Sequence, residues 1–366
     1  MMDSYFFRVL LTPSAVFLSV LFGPSYSSGT AITQFVTTNG PTGGLLSILT
    51  IGLVFAMSLS LSFELARLFK VYEYHGFVEI LLKRAWVLYE IVILVGIIIA
   101  LSIAITIGGT ILEDHFGIAV WMGSLGIFLL IVVLTYFGQG VVKKSMIYSV
   151  AALFIVLIVL VTQLVSGHLD QIVHVFTSIP HQTGGVSTGF KYAVVSAGFV
   201  PLLLYCATGL RSRSEAFVAG GVAAVISIIP ALIFHFAFLV DYPGIIAEQV
   251  PVYRMFELIS TPFMLNAYVL VMFVLIAQTG VGMQQGLLQR LDAWQMRRKQ
   301  IPLTPAGHAV VTVVLAGISI ALGTMGVVAL LLRAYAVMFI SFIAVFIVPL
   351  LTYGTYLVFR KRGLPD

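Results

Sequence analysis

Long apolar segments without charged residues follow one another along this chain, and short groups of charged residues separate them. No charged residue occurs between Val9 and Phe63, a stretch long enough for two bilayer crossings at about 20 residues each. The same criterion, applied to the whole chain, predicts ten membrane-spanning helices. Their boundaries lie near 12–36, 43–66, 86–111, 117–138, 145–166, 188–209, 216–240, 264–288, 305–329 and 334–359.

The basic residues support this span count, because lysine and arginine concentrate on the cytoplasmic side of membrane proteins. Ten spans with the amino terminus inside place all 19 lysines and arginines in cytoplasmic segments except Lys191, Arg254 and Arg333. A missed span would invert every later loop and remove this asymmetry. We therefore expect both termini in the cytoplasm, and an integral protein of a bacterial or archaeal cytoplasmic membrane.

Ten spans form two halves of five, at 9–166 and 188–360, within one transmembrane domain that covers residues 1–366. Because five crossings bring the chain to the opposite membrane face, the two halves would be inverted repeats. Span six would then correspond to span one. The predicted fold class is an all-α integral membrane protein with a 5+5 inverted repeat.

Helix-weakening residues interrupt both corresponding spans. Span one contains Gly23-Pro24-Ser25-Tyr26-Ser27-Ser28-Gly29-Thr30, and span six contains Ser196-Ala197-Gly198-Phe199-Val200-Pro201. Glycine and proline in membrane helices often mark only a kink or close packing. A pair of breaks at matching positions instead favours a binding site, since freed backbone groups in a bilayer must line a protein cavity. We expect both segments to be unwound and to face each other near the bilayer midplane.

Composition narrows the class of protein further. Hydrophobic residues make up 60% of the chain and charged residues 9%, with a mean hydropathy of +1.11, which excludes a soluble domain. The net charge of +5 arises from basic groups between apolar runs and indicates orientation, so no nucleic-acid partner is expected. Cys206 is the only cysteine, which excludes an internal disulfide. Metalloprotease and serine-hydrolase motifs are absent, and no enzymatic activity is expected.

The interrupted first span resembles the first helix of the YkvI-like membrane proteins, which belong to the amino acid-polyamine-organocation (APC) transporter superfamily and have the leucine-transporter fold. The chain departs from the family at two places: Pro24-Ser25 replaces Ala-Gly, and Thr30-Ala31 replaces Gln-Glu. The second departure removes a buried carboxylate. The resemblance implies broken first and sixth helices, and Gly220-Gly221-Val222 in span seven also resembles the family. The matching residues are Gly23, Ser28, Gly29, Ile32, Gln34 and Phe35.

The same resemblance implies a coupling-ion site between the first and eighth spans. Thr279 is similar in placement to a sodium-binding hydroxyl, and carbonyls near Leu21 and Pro24 would complete an oxygen site for a hard cation. A threonine in a membrane helix more often bonds to its own backbone. Span five has no charged residue, which favours sodium coupling or uncoupled exchange over a lysine-based proton relay. No other cofactor is expected.

Few ionisable residues lie at membrane depth. Glu90 and His235 are the candidates for proton coupling, while Glu64 and Glu90 lie close enough to Arg67, Lys83 or Arg84 to form ion pairs instead. The histidines at 168, 174 and 181 fit no usual zinc spacing, so no metal site is expected. Residues 167–187 and 241–262 predict short amphipathic helices over the outer vestibule.

These features predict a secondary active transporter that moves a small polar organic solute, an amino acid or related amine, by alternating access. A passive facilitator or channel-like permease is the second reading, and a receptor or scaffold on a transporter fold is the third. The lipid bilayer and the solute are the expected partners. The residues expected to contact the solute are Ser25, Tyr26, Ser27, Ser28, Gly29, Gly198 and Phe199.

Overall fold

The computed structural model describes residues 4–137, 139–180, 182–259, 261–297, 304–323 and 325–360. All secondary structure in this part of the chain is helical. The α-helices are α1 (Thr12–Leu21), α2 (Pro24–Ser27), α3 (Thr30–Phe35), α4 (Gly40–Phe69), α5 (Tyr74–Leu82), α6 (Trp86–Phe116), α7 (Val120–Phe137), α8 (Gln139–Gly167), α9 (Leu169–Ser178), α10 (Gly185–Ala197), α11 (Arg213–Phe238), α12 (Pro251–Ile259), α13 (Pro262–Arg297), α14 (Pro305–Gly323), α15 (Val327–Phe342) and α16 (Thr355–Arg360).

Every predicted span coincides with one helix or with a run of consecutive helical segments. Within the described ranges, five helices are long and apolar enough to cross a membrane, and the number rises to seven if each of two bent helix pairs is one span. The count of ten spans and the orientation of the termini therefore stay predictions. The connection between predicted spans nine and ten lies at Gly326 (φ +82°) and not at residues 330–333, where the predicted boundaries place it. Glycine adopts this left-handed conformation readily. Arg333 is consequently an exposed residue inside α15.

The first predicted span is broken twice. A π-helical turn, Phe6–Leu11, leads into α1, which ends at Leu21, and Gly23 is extended (φ −65°, ψ −179°). Residues Pro24–Ser27 then form one helical turn, and Gly29 (φ +82°) separates this turn from α3. The segment predicted to be unwound from Pro24 to Gly29 is thus a single helical turn between two breaks. Proline at the first position of α2 favours this turn, because its missing N–H needs no helical partner there.

The sixth predicted span is broken at the expected place. Helix α10 ends at Ala197, and a 3₁₀ helix, Val200–Ala207, follows it at an angle of 61°. Pro201 is the second residue of this 3₁₀ helix and cannot donate a backbone hydrogen bond to α10.

Close approach of small residues holds α4 against α10 and α11. A Cβ atom on Gly185 would lie 1.8 Å from the Gly43 carbonyl oxygen, and one on Gly189 would lie 2.5 Å from the Ser47 carbonyl oxygen. The Ser47 hydroxyl donates to the Gly185 carbonyl at 2.9 Å. Because lipid tails are as apolar as leucine, helices in membranes associate through such tight packing and interhelical hydrogen bonds. Helix α4 therefore supports the first half of the broken span six and the helix of span seven, α11.

The two segments predicted to lie over the outer vestibule both contain short helices. Helix α9 occupies the first of them and α12 the second. In α12, a hydrogen bond to Glu257 raises the pKa of the exposed Arg254 guanidinium, and Asp241 lies 3.6 Å from the same side chain.

Adjacent glycines in α11 give a matched test of this packing. A Cβ atom on Gly220 would lie 2.5 Å from the Ser60 backbone nitrogen, whereas one on Gly221 would meet nothing within 4 Å. We expect Gly220→Ala to destabilise the protein by about 1–3 kcal/mol through overpacking. Gly221→Ala should be neutral or stabilise it by up to about 1 kcal/mol, because alanine favours the helix. Thermal unfolding of the purified protein in detergent measures both, and equal melting temperatures for the two variants would contradict the packing.

Candidate functional site

A small cavity lies between the two broken spans, with a volume of about 80 Å³. The first break contributes Gly23, Pro24 and Ser25, and the second contributes Ser196 and Phe199. The two interruptions therefore face one cavity, as the sequence predicts. The other lining residues are Phe17, Val20, Leu21, Gly96, Ile99, Ala100, Ile103, Tyr192, Val195, Leu203, Thr279, Tyr335 and Met338.

Hydroxyl groups supply the polar side-chain atoms of this cavity. The Tyr335 hydroxyl interacts with the hydroxyls of Ser25 and Ser196. The rings of Tyr192 and Tyr335 are parallel within 7° with their centroids 5.9 Å apart. None of the lining residues that the structure describes carries a charge. The cavity is therefore suited to a small group that hydrogen-bonds to hydroxyls and packs against aromatic rings.

Backbone carbonyls at the end of α1 add an acceptor-rich edge to the cavity. The Phe22 N–H donates to the Leu18 carbonyl, whereas Tyr26 and Ser27 donate to the Gly23 carbonyl. The carbonyls of Val20, Leu21 and Phe22 consequently receive no backbone N–H from the described residues that follow them. The carboxyl-terminal end of a helix carries a partial negative charge, so this edge of the cavity favours a positively charged group or a hydrogen-bond donor.

Five of the seven predicted solute contacts lie outside this cavity, and Ser25 and Phe199 line it. Tyr26 and Ser27 belong to the single turn of α2, which directs them away from it. The Tyr26 hydroxyl donates to the Ser227 carbonyl at 3.0 Å, and the buried Ser27 hydroxyl donates to the Pro24 carbonyl at 3.2 Å. Ser28 is also fully buried, with its hydroxyl 2.9 Å from that of Thr30.

The two predicted glycine contacts have packing roles in the structure. A Cβ atom on Gly29 would lie 2.5 Å from the Phe238 ring and 2.6 Å from the Val252 side chain. A Cβ atom on Gly198 would lie 2.4 Å from the Phe342 ring, and the Gly198 carbonyl accepts a hydrogen bond from the Tyr89 hydroxyl at 2.9 Å. Both glycines therefore allow neighbouring rings to approach the breaks.

The three residues predicted to hold a cation come together at the cavity. Leu21, Pro24 and Thr279 all line it, and the Thr279 methyl group lies beside Gly23. The Thr279 hydroxyl donates to the Leu275 carbonyl of its own helix at 2.9 Å. Its lone pairs stay available on the oxygen, so this bond and cation binding are compatible. Sodium binding remains a prediction.

The predicted proton-coupling residues lie outside the cavity lining and have hydrogen-bond partners. Glu90 accepts a hydrogen bond from the Tyr74 hydroxyl at 3.1 Å. His235 Nε2 lies 3.0 Å from the Pro41 carbonyl, which can only accept, so Nε2 carries the hydrogen. Its Nδ1 lies 3.1 Å from the Thr37 hydroxyl oxygen. These contacts hold the imidazole between α11 and the start of α4.

The other shallow carboxylate has the expected ion pair. Glu64 is buried, and its carboxylate oxygen lies 2.8 Å from Arg67 Nε, three residues further along α4. Its role is thus structural, since the pair compensates the burial of the carboxylate.

The segment before and within α12 closes one side of the first break, which we call the α12 side. The Val252 N–H donates to the Ser28 carbonyl at 3.0 Å, and the Thr30 hydroxyl donates to the Gln249 carbonyl at 2.8 Å. The Gln34 side-chain amide donates to the Ile246 carbonyl at 3.2 Å. These bonds fix the α12 segment over residues 28–34 of span one.

A charged cluster closes the opposite side, where α1 begins, which we call the α1 side. Arg8 Nη1 lies 2.5 Å from Glu215 Oε2, and Nη2 lies 2.6 Å from Oε1, which is a bidentate pair. Arg8 also donates to the Gly209 carbonyl at 2.6 Å, and the Arg211 N–H donates to Glu215 at 2.6 Å. The exposed fractions of the Arg8 and Glu215 side chains are only 10% and 13%. This Arg8–Glu215 latch connects span one, the end of span six and the start of span seven.

No group of three or more histidine, cysteine, aspartate or glutamate residues in the described part of the chain is arranged to hold a metal ion. His181, one of the three loop histidines, lies outside the described residues.

Tyr192, Ser196 and Tyr335 are cavity residues that the sequence analysis did not assign to the site. Tyr192 and Ser196 are four residues apart in α10, which places them on one helix face that leads to the second break. This spacing could have identified them. Tyr335 comes from α15, where no break or polar motif marks its position.

Comparison with known proteins defines the fold. No family model matches the chain, and no curated protein matches it, so the APC and YkvI-like membership predicted above is not supported. The solved structure of the Eremococcus coleocola manganese transporter, in complex with an aromatic bis-isothiourea substituted compound, has 16% identity and a TM-score of 0.52. The alignment covers 94% of this chain and 79% of that chain.

Two mutants of the same transporter give similar results. Their TM-scores are 0.53 and 0.54 at 15% and 16% identity, with 94% of this chain and 78% of each of those chains covered. The chain is therefore an integral membrane protein with the leucine-transporter-like fold of known membrane transporters.

The Arg8–Glu215 latch predicts that loss of its negative charge opens the α1 side. Glu215→Gln leaves the largely buried Arg8 without its counter-ion, which is destabilising for the closed arrangement. Cys206 is the only cysteine and is buried in the 3₁₀ helix of span six, so its reaction with a maleimide reports opening. We expect Glu215→Gln to increase the labelling rate severalfold.

The control for this prediction is Glu257→Gln, which removes an exposed ion pair with Arg254 and should leave labelling of Cys206 unchanged. Equal labelling rates for Glu215→Gln and the wild-type protein would show that the Arg8–Glu215 latch does not keep this side closed.

Proposed function

We propose that this protein is a secondary active transporter that moves a small polar organic solute, an amino acid or related amine, by alternating access. The observation that carries this proposal is the uncharged, hydroxyl-lined cavity between two broken spans. In transporters of this architecture, substrates bind at such breaks near the midplane of the membrane. The fold shared with known transporters supports transport as the activity class.

The cavity chemistry distinguishes this chain from a manganese transporter. Divalent Mn²⁺ prefers carboxylate, carbonyl and water ligands, and a divalent charge in a membrane interior needs compensating negative charge. The described residues of the lining supply hydroxyls and carbonyls, and none of them supplies a carboxylate, an imidazole or a thiolate. A solute with a single positive charge or none fits this donor set better than a divalent metal does.

The positions of the polar groups suggest how the solute binds. Its ammonium or N–H group would point at the carbonyls that end α1, which carry partial negative charge. Its remaining polar atoms would bond to the hydroxyls of Ser25 and Ser196. The volume of about 80 Å³ is well below the roughly 300–1,000 Å³ of drug-sized ligand sites, which restricts the solute to few non-hydrogen atoms.

Alternating access would require the two closures to open in turn. The Arg8–Glu215 latch would separate to expose the cavity on the α1 side, and the α12 segment would lift from the first break to expose it on the other. Each closure joins a span that carries a break to an element that does not. Rigid movement of one group of helices relative to the other could therefore open one closure while the other stays closed.

Counterflow in proteoliposomes tests the transport function. Vesicles loaded with an unlabelled amino acid or amine should accumulate the labelled solute transiently, because a carrier exchanges solutes across the membrane. A panel of amino acids, amines and Mn²⁺ is compared with and without sodium. Ohmic conductance would instead assign a channel-like permease, and binding without flux would assign a receptor.

Replacing Ser25 tests the cavity as the solute site. Ser25→Ala removes a hydroxyl that lines the cavity and should weaken solute affinity by about tenfold, the loss of one hydrogen bond worth roughly 1.4 kcal/mol. Ser19→Ala is the control, because Ser19 lies outside the cavity lining and its hydroxyl donates to the Val16 carbonyl. The solute concentration that gives half-maximal uptake is measured for both variants. An unchanged concentration for Ser25→Ala would exclude this hydroxyl from binding.

Replacing Thr279 tests sodium coupling independently. Thr279→Ala removes one neutral oxygen ligand and should weaken sodium affinity by about tenfold, or about 1.4 kcal/mol, at unchanged solute affinity in saturating sodium. Thr279→Ser keeps the hydroxyl and should be nearly silent. Uptake is measured against external sodium at fixed pH and voltage. Wild-type uptake that ignores sodium but follows an imposed pH gradient would reject the sodium site and direct attention to His235 and Glu90.

A further inference from the structure

A second cavity, which shares no lining residue with the cavity between the breaks, lies at the bend where α8 meets α9. Its volume is about 410 Å³, and the chain bends by 76° between the two helices there. Helix α11 forms its third wall. The lining residues are Val161, Leu164, Leu169, Ile172, Val173, Phe176, Thr177, Leu232, Ile233 and Phe236.

The lining of this groove is apolar except for one hydroxyl. Among the described lining residues only Thr177 has a polar side chain, and the Thr177 hydroxyl donates to the Val173 and His174 carbonyls of its own helix. At about 30 Å³ per molecule, the groove could hold more than ten waters, yet it offers them no hydrogen-bond partner. An apolar occupant is therefore favoured over water.

The groove is continuous with the surface that faces lipid. Ile155 and Ile158 on α8 are each 63% exposed, and Val225 on α11 is 59% exposed. In a protein that spans a bilayer, such apolar side chains contact acyl chains. Leu169 and Val173 are half-exposed at the mouth of the groove, so a chain can enter from that surface.

Helix α9 has the properties of an interfacial helix at the end of this groove. Four of its apolar residues, Leu169, Ile172, Val173 and Phe176, line the groove, whereas Asp170, Gln171 and His174 are absent from the lining. Gln171 also donates to the Val240 carbonyl at 2.7 Å, which ties α9 to the end of α11. Amphipathic helices of this kind lie at the boundary between headgroups and acyl chains. A lipid with its headgroup at this boundary would have its chain level with the groove.

From these observations we infer that the groove between α8, α9 and α11 is a binding site for one acyl chain of a membrane phospholipid. The occupant would fill the space between α8 and α11 and support α9, which precedes the broken span six. This inference needs only the membrane location of the chain and is independent of the transported solute.

Photocrosslinking with a phospholipid that carries a diazirine on its acyl chain tests the site in nanodiscs containing the full chain. We expect crosslinks at the groove residues severalfold above those at Ile155 and Val225, which are equally accessible to bulk lipid. Val173→Trp at the mouth and Ile233→Trp inside the groove should each remove this enrichment. Val225→Trp, on the same helix as Ile233 but outside the groove, should retain it.

Two outcomes would overturn the inference. Uniform labelling of all bilayer-facing residues would show that the groove holds lipid no better than the rest of the surface. Crosslinks between two copies of the chain through the groove residues would assign it to a protein interface. Val173 is half-exposed, so Val173→Trp should fold even if Ile233→Trp does not, and enrichment that survives Val173→Trp counts against the site.

Discussion

The satisfaction of backbone hydrogen bonds away from water is the constraint on which the rest of this structure depends. A membrane helix can be interrupted only where the freed carbonyls and amides find partners inside the protein. Buried tyrosines provide several of them: Tyr268 donates to the Ser27 carbonyl, and Tyr89 donates to the Gly198 carbonyl. The Val252 N–H donates a hydrogen bond to the Ser28 carbonyl. Among the described residues, no backbone N–H donates to the carbonyls of Val20, Leu21 and Phe22, and Val20 and Leu21 line the cavity.

This division separates structural atoms of the breaks from atoms available to a ligand. Residues 26–29 are occupied by contacts with α11, α12 and α13, and they hold the first break in shape. Ser25, the end of α1 and Ser196 are left to face the cavity. A break therefore has a supported side and an open side, and the supported side explains why Tyr26, Ser27 and Ser28 are buried and hydrogen-bonded although their sequence suggests binding.

The two closures around the cavity depend on different physical interactions. The α12 side is held by backbone hydrogen bonds and by the packing of Val252 and Phe238 against Gly29, where a side chain would not fit. The α1 side is held by the bidentate pair of Arg8 and Glu215. The two closures therefore respond to different changes. The α12 side is sensitive to added side-chain volume at Gly29, and the α1 side is sensitive to the loss of one charge of a largely buried ion pair.

The positions of the helices and of both breaks followed from the sequence alone, because hydropathy and glycine or proline content are local properties. The convergence of Leu21, Pro24 and Thr279 at one cavity was implied by the resemblance to leucine-transporter-like proteins, and no local pattern predicts it. The direction of each side chain was not predictable, since the single turn of α2 between two breaks rotates Tyr26 and Ser27 away from Ser25. Tyr335 reaches the cavity from α15, more than 300 residues after the first break, and no local pattern marks that contact. The sequence thus determined where the chain is interrupted, and only the packing of distant helices decided which atoms face the cavity.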